Sequence, residues 1–214
     1  MEIFEKIEKI GVVPVVAIKN ATDSEPLAET LIDGGLPCAE ITFRTDAAEG
    51  SIKKISLRFP EMTVAAGTVL SADQADKAID AGASLIVSPG FNPTVVEHCL
   101  KNGYPIVPGI VTPSEIELAL SYGLLYLKFF PAEAAGGLKM IKALSAPYSN
   151  VRFMPTGGIN PENLGIYLSF KKVFACGGSW MVKDSLINEG KFDEIKQLTA
   201  EAVNIVNEAR RTEG

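Results

Sequence analysis

Lys128 stands in a run that has little use for a charge. Leu124–Ala132 reads Leu-Leu-Tyr-Leu-Lys-Phe-Phe-Pro-Ala, six of its first seven residues being apolar or aromatic. An ammonium is seldom fully buried unless it is paired, because taking it out of water is costly. Two fates are open to it. The side chain reaches solvent from an edge strand, or apolar surroundings favour a neutral amine, which attacks carbonyl carbons. A second segment bears on the choice: Cys38-Ala39-Glu40-Ile41-Thr42 places a carboxylate mid-strand, with Arg44 just beyond it. Strand alternation puts Cys38, Glu40 and Thr42 on one face and Ala39 and Ile41 on the other. The same rule puts Tyr126, Lys128 and Phe130 opposite Leu125, Leu127 and Phe129. With the aliphatic sets turned toward helices, Glu40 and Lys128 both point inward and can meet. Such a pair either fills the interior as a structural ion pair or moves protons beside a nucleophilic amine. Arg44 adds a guanidinium fork of the shape that grips a carboxylate.

Two glycine pairs lie further on, Pro155-Thr156-Gly157-Gly158 and Cys176-Gly177-Gly178-Ser179-Trp180. Small residues let backbone N–H groups approach an anion, and Ser179, opening a short helix, adds a hydroxyl. Gly67-Thr68 and Ser88-Pro89-Gly90 are similar backbone-exposing entries into loops.

The elements that would carry these residues repeat. Short β-rich apolar runs begin near Val12, Cys38, Thr63, Ser84, Pro105, Leu125, Val151 and Val173, 20 to 26 residues apart. Segments of helical period separate them, so each interval is one βα unit. Eight units without a break in composition predict an α/β fold, a closed (β/α)8 TIM barrel spanning residues 1–214 as one domain. Met1–Ile10 is an extra N-terminal helix placed to cover the barrel bottom. Ser71-Ala-Asp-Gln74 and Thr112-Pro-Ser-Glu115 are capping boxes. Asn92-Pro93 and Asn160-Pro161 repeat the cap-then-proline pattern. Gly34-Gly35, Gly82, Gly103 and Gly123 supply left-handed helix stops. Phe192, Ile195, Leu198, Ala202, Ile205, Val206 and Ala209 give the last helix one apolar face. In such barrels chemistry sits at the C-terminal strand ends, with phosphate held after the last two strands.

Composition removes several function classes. The 214 residues carry a net charge of −6, with 47% hydrophobic and 21% charged residues. No basic cluster suggests nucleic acid as a partner. No apolar run approaches the roughly twenty residues of a membrane helix, and the first ten residues do not read as a secretory signal. Cys38, Cys99 and Cys176 are scattered and form no C-x-x-C pair, which suits reduced thiols in the cytoplasm. A lone His98 builds neither a histidine metal site nor a Ser-His relay, so no metal or cofactor is expected.

Taken in order, Glu40-Ile-Thr-Phe-Arg44, Ala66-Gly67-Thr68, Ser88-Pro89-Gly90, Pro108-Gly109-Ile110, Lys128-Phe-Phe-Pro-Ala-Glu133, Pro155-Thr-Gly-Gly-Ile159 and Gly177-Gly-Ser-Trp180 resemble the 2-keto-3-deoxy-6-phosphogluconate (KDPG) aldolase and 4-hydroxy-2-oxoglutarate aldolase family. The resemblance runs from about Gly11 into the final helix and implies a class I, Schiff-base aldolase. It implies that Lys128 forms an imine with the C2 carbonyl of pyruvate and that Glu40 is the general acid/base. Arg44 and Thr68 would hold the pyruvate carboxylate, with Pro89 and Phe130 as apolar walls and Thr156 near the substrate hydroxyls. Gly157, Gly158, Gly178 and Ser179 would cradle the phosphate. A homotrimer acting on a keto-acid phosphate is implied as well. Two rival readings stand beside it. A phosphosugar epimerase or isomerase would use Glu40 and Lys128 for proton transfer without an imine. A non-enzymatic phospho-ligand-binding barrel would leave the inward pair without a task.

Overall fold

The computed structural model describes residues 2–211. Helix α1 (Glu2–Ile10) leads into strand β1 (Val12–Val16), followed by α2 (Ser24–Asp33), β2 (Cys38–Thr42), α3 (Ala48–Arg58) and β3 (Thr63–Gly67). Next come α4 (Ala72–Asp80), β4 (Leu85–Val87), α5 (Pro93–Lys101), β5 (Ile106–Val107) and β6 (Gly109–Ile110). Then follow α6 (Pro113–Ser121), β7 (Tyr126–Phe129), α7 (Gly137–Ser145), β8 (Arg152–Pro155) and α8 (Pro161–Leu168). The chain ends with β9 (Cys176–Gly178), a 3₁₀ turn (Trp180–Val182), α9 (Asp184–Asn188) and α10 (Phe192–Arg211).

All strand pairs are parallel, in the orders β5-β4-β3-β2-β1-β9 and β6-β7-β8. The two sheets join into a barrel at two seams. At one, the fifth strand expected from Pro105 onward is split into β5 and β6 by Pro108. Proline has no N–H to give a ladder, but the Pro108 carbonyl still accepts from Lys128 N–H at 2.9 Å. At the other, bridges Phe153↔Val173 and Thr156↔Gly177 tie β8 to β9. Val173, where the eighth strand was expected to begin, contributes a bridge, and the paired run starts at Cys176. Eight βα positions therefore close one TIM-like barrel.

Alternation decides what faces where. Ala39, Ile41, Leu127 and Phe129 are buried among the surrounding helices and strands. Leu125 lies outside β7 and is exposed. The expected N-terminal helix is present from Glu2, Met1 lying outside the described residues. Phe4 stacks on Tyr126 with ring centroids 4.3 Å apart, and Tyr126 meets Phe174 edge-on at 5.1 Å. Tyr126 opens β7, so α1 covers the N-terminal end of the barrel and leaves the strand C-termini open. No helix among the described residues is long and apolar enough to cross a membrane.

The local signals behave as their chemistry requires, with two departures. Thr112 and Glu115 form a reciprocal capping box, as do Asn160 and Asn163, each pair with proline at the first helical turn. Ser71 accepts from Gln74 N–H, but the Gln74 side chain accepts from Leu70 N–H rather than closing back on Ser71. Gly35, Gly82, Gly103 and Gly123 adopt the left-handed conformation, whereas Gly34 is right-handed at φ −76° and simply ends α2. Burial alone would raise the Glu115 carboxyl, but bonds from Val111 N–H and from the Thr112 hydroxyl and N–H hold it below its ordinary value. Removing the Thr112 hydroxyl frees that end of α6. Thr112→Ala is expected to lower stability by about 1 kcal/mol, read as a lower urea midpoint at unchanged slope.

Candidate active site

Glu40 enters the interior from the middle of β2, and Lys128 from β7 across the barrel. Lys128 Nζ donates to Glu40 Oε1 at 3.1 Å, and the two residues are 4% and 0% exposed. The geometry that makes this approach possible depends on backbone without side chains. Gly67 lies opposite Thr42 in the β2–β3 ladder, and a Cβ there would collide with the Glu40 carboxylate. Gly109 is in register with Lys128, and a Cβ there would strike the Pro89 carbonyl. The second carboxylate oxygen, Glu40 Oε2, is buried and has no hydrogen-bond partner. A buried acceptor without a partner is costly, so this atom is left to a water or an incoming donor.

Phe130 follows β7, and the Lys128 ammonium sits 5.4 Å from its ring centroid. The Phe130–Pro131 peptide is cis. Beyond Phe130 the site opens into a cavity of about 350 Å³ at the strand C-termini. Its walls bring together Arg44, Phe130, Thr156, Gly157, Gly158, Gly178 and Ser179, seven of the residues singled out by sequence. Gly157 and Gly158 both have positive φ, +98° and +82°, which turns this strand end over itself as only glycine does without strain. The turn is pinned from outside: Ala132 N–H donates to the Thr156 carbonyl at 2.8 Å and Glu133 N–H to the Gly157 carbonyl at 3.1 Å. Glu133 also accepts from the Tyr167 hydroxyl of α8. Burial first, then this bond, pushes the Tyr167 hydroxyl well above its ordinary value, so it remains a donor. Burial likewise keeps the Cys176 thiol of β9 protonated.

Thr68 and Pro89 are not among the walls of this cavity. Thr68 follows Gly67 at the end of β3, half-buried and with φ of +56°. A β-branched residue in that region is strained, by an amount on the order of 1–3 kcal/mol. Pro89 lies at the end of β4 and presses its carbonyl against Gly109. The cavity also has walls the sequence did not single out: Val15 and Val16 at the end of β1 with Ala17 just past it, Thr42, and Lys183 with Asp184 after β9. Their signal is positional. Each sits at or just past the C-terminal end of a strand, where βα-barrels carry their chemistry. Among the described residues no group of three His, Cys, Asp or Glu converges as metal ligands.

A closed parallel barrel with a charged pair inside and its opening at the strand C-termini is the architecture of a βα-barrel enzyme. The chain belongs to the KDPG and KHG aldolase family, whose model matches residues 3–198. It is 48% identical over 204 residues to the 2-dehydro-3-deoxy-phosphogluconate aldolase of Treponema pallidum, covering 95% of this chain and 97% of that one. It is 43% identical over 192 residues to the KHG/KDPG aldolase of Escherichia coli K12, covering 90% of each. Among solved structures it superposes, with a TM-score of 0.90 and 36% identity, on the KDPG aldolase of Legionella pneumophila, whose crystal holds pyruvate as a covalent carbinolamine. That match covers 93% of this chain and 97% of the other. The protein is an aldolase, a carbon–carbon lyase, which sets aside the isomerase and binding-barrel readings.

The buried pair has a stability signature. Glu40→Ala strands an ammonium without its counter-charge and is expected to cost about 3–5 kcal/mol in urea unfolding. Adding Lys128→Met should recover much of that loss, because the uncompensated charge is then gone.

Proposed function

We propose that this aldolase cleaves 2-dehydro-3-deoxy-6-phosphogluconate to pyruvate and glyceraldehyde 3-phosphate through an imine on Lys128, and that it also splits 4-hydroxy-2-oxoglutarate into pyruvate and glyoxylate. The observation that carries the reading is the dry Lys128–Glu40 contact at 3.1 Å beside a cavity rimmed by two glycine pairs. The covalent pyruvate adduct in the Legionella relative supports the same chemistry.

The steps follow from these groups. Lys128 passes its extra proton to Glu40 and adds as the neutral amine to the substrate C2 carbonyl, giving a carbinolamine; Glu40 returns that proton to the departing hydroxyl, which leaves as water, and the protonated imine remains. Glu40 takes the proton of the C4 hydroxyl, and its unpartnered Oε2 is available for this. The C3–C4 bond then breaks: its electron pair moves into the iminium to form an enamine, and C4 leaves as the aldehyde. Glu40 returns the proton to C3, and water hydrolyses the resulting imine, releasing pyruvate and the free amine. The iminium does what a bare carbonyl cannot, accepting the electron pair without forming a free carbanion.

Binding roles complete the proposal. Arg44 and Thr68 hold the carboxylate, the Thr68 strain being the kind of backbone cost found at ligand clamps. Phe130 forms an apolar wall of the cavity, Pro89 is assigned an apolar wall outside it, where its carbonyl abuts Gly109 beside Lys128, and Thr156 contacts the substrate hydroxyls. Gly157, Gly158, Gly178 and Ser179 offer N–H groups and a hydroxyl to the phosphate. A cytoplasmic homotrimer is part of the same reading; three free, buried cysteines suit a reducing compartment.

Borohydride reduction in the presence of pyruvate tests the imine. A single pyruvate-derived adduct is expected on the peptide containing Lys128; no adduct, or one on another lysine, sinks this mechanism. Glu40→Gln separates the proton step from the nucleophile. The variant should still form the trapped adduct but exchange pyruvate methyl protons in heavy water about 10²–10⁴-fold more slowly. Near-parental exchange would assign the step to another base.

A further inference from the structure

The glycine cradle brings N–H groups and the Ser179 hydroxyl to an anion, but no formal charge. Among the described residues that wall the cavity, two side chains are cationic, Arg44 and Lys183, and one is a carboxylate, Asp184. Neither cation forms an ion pair among the described residues. Arg44 leaves β2, two strands from the cradle strand β9 in the order β9-β1-β2. Lys183 lies one short turn past Ser179. Val182 N–H donates to the Ser179 carbonyl at 3.1 Å, and the Lys183 carbonyl accepts from Leu186 N–H at 3.0 Å. Met181, Val182, Leu186 and Ile187 are buried on either side, so the backbone of Lys183 is fixed against the barrel while its side chain stays exposed. A tethered stem with a hydrated ammonium at a cavity rim suits a ligand group that is itself strongly charged and hydrated.

We propose that Lys183 supplies the positive charge for the substrate's phosphate and thereby sets the preference for phosphorylated over unphosphorylated keto-acids. This rests on the aldolase reading above. The neutral cradle fixes where the phosphate sits. Lys183 offsets its charge and the opposing charge of Asp184. Because the ammonium is exposed, its effect is moderate and screened by salt. It acts on binding and leaves the chemical step alone.

Steady-state cleavage of the phosphorylated substrate and of 4-hydroxy-2-oxoglutarate by the parent, Lys183→Gln and Lys183→Arg enzymes tests it. Lys183→Gln is expected to raise KM for the phosphorylated substrate about tenfold with kcat unchanged, and to leave both constants for 4-hydroxy-2-oxoglutarate at parental values. Lys183→Arg should restore the parental KM, and the gap between Gln and parent should narrow as sodium chloride is added. As a direct probe, inorganic phosphate should inhibit cleavage of the phosphorylated substrate competitively, and more weakly in Lys183→Gln. Equal KM changes for both substrates, no change for either, or a gap indifferent to salt would overturn the assignment. A parent enzyme that cleaves neither substrate would instead overturn the aldolase reading, a failure visible before any variant is compared.

Discussion

An ammonium and a carboxylate 3.1 Å apart, with almost no access to water, constrain everything around them. Desolvating two such ions is costly, and the contact between them repays that only if both are held in place. The barrel meets this requirement with backbone. Glu40 is anchored in a five-residue ladder between β2 and β3, where it is in register with Ala65. Lys128 is anchored between Gly109 and Met154. Small neighbours flank both anchors: Gly67 leaves room for the carboxylate, and Gly109 lets the β4 loop close against β6, the neighbour of the strand that carries the lysine. A larger residue at Gly67 would displace the carboxylate, and one at Gly109 would push the β4 loop away.

The same pair leaves one acceptor unmet. An interior ion pair that served only stability would have its remaining lone pairs satisfied, because an unmet acceptor in the interior is costly. Glu40 Oε2 is left without a protein partner. Thr42 donates its hydroxyl to the Val16 carbonyl and not to Glu40. One carboxylate oxygen therefore meets the lysine, and the other is left without a protein partner.

The inward placement of Lys128 and Glu40 was legible because a two-residue period leaves one choice once the aliphatic face is assigned. The three caps followed by proline in the first turn, at Asn92, Thr112 and Asn160, were legible because local chemistry determines them. What escaped the sequence depends on long-range contacts. Pro108 splits a strand only because β4 pairs on one side of it and β7 on the other. Gln74 leaves its expected partner because Leu70 N–H lies within reach. Val15 and Val16 read as ordinary core residues and wall the cavity nonetheless, since only barrel closure shows which strand end meets solvent. Nothing local to Thr68 signals its left-handed backbone.

Charge placement then gives the cavity a direction. Its two cationic residues leave β2 and β9, which flank β1 on opposite sides. Two strand spacings separate those strands, about 10 Å, comparable to an extended six-carbon acid with its terminal phosphate. An anion at each end would be drawn to a different cation, with the glycine cradle fixing one end by shape. The carbons between would then cross the mouth above β1, next to the strand that holds Glu40. A substrate lying the other way would bring its phosphate to Arg44, where no glycine pair awaits it. Orientation therefore follows from neutral backbone at one end and a planar guanidinium at the other. The buried pair can thus act on one carbonyl without having to choose between two ends.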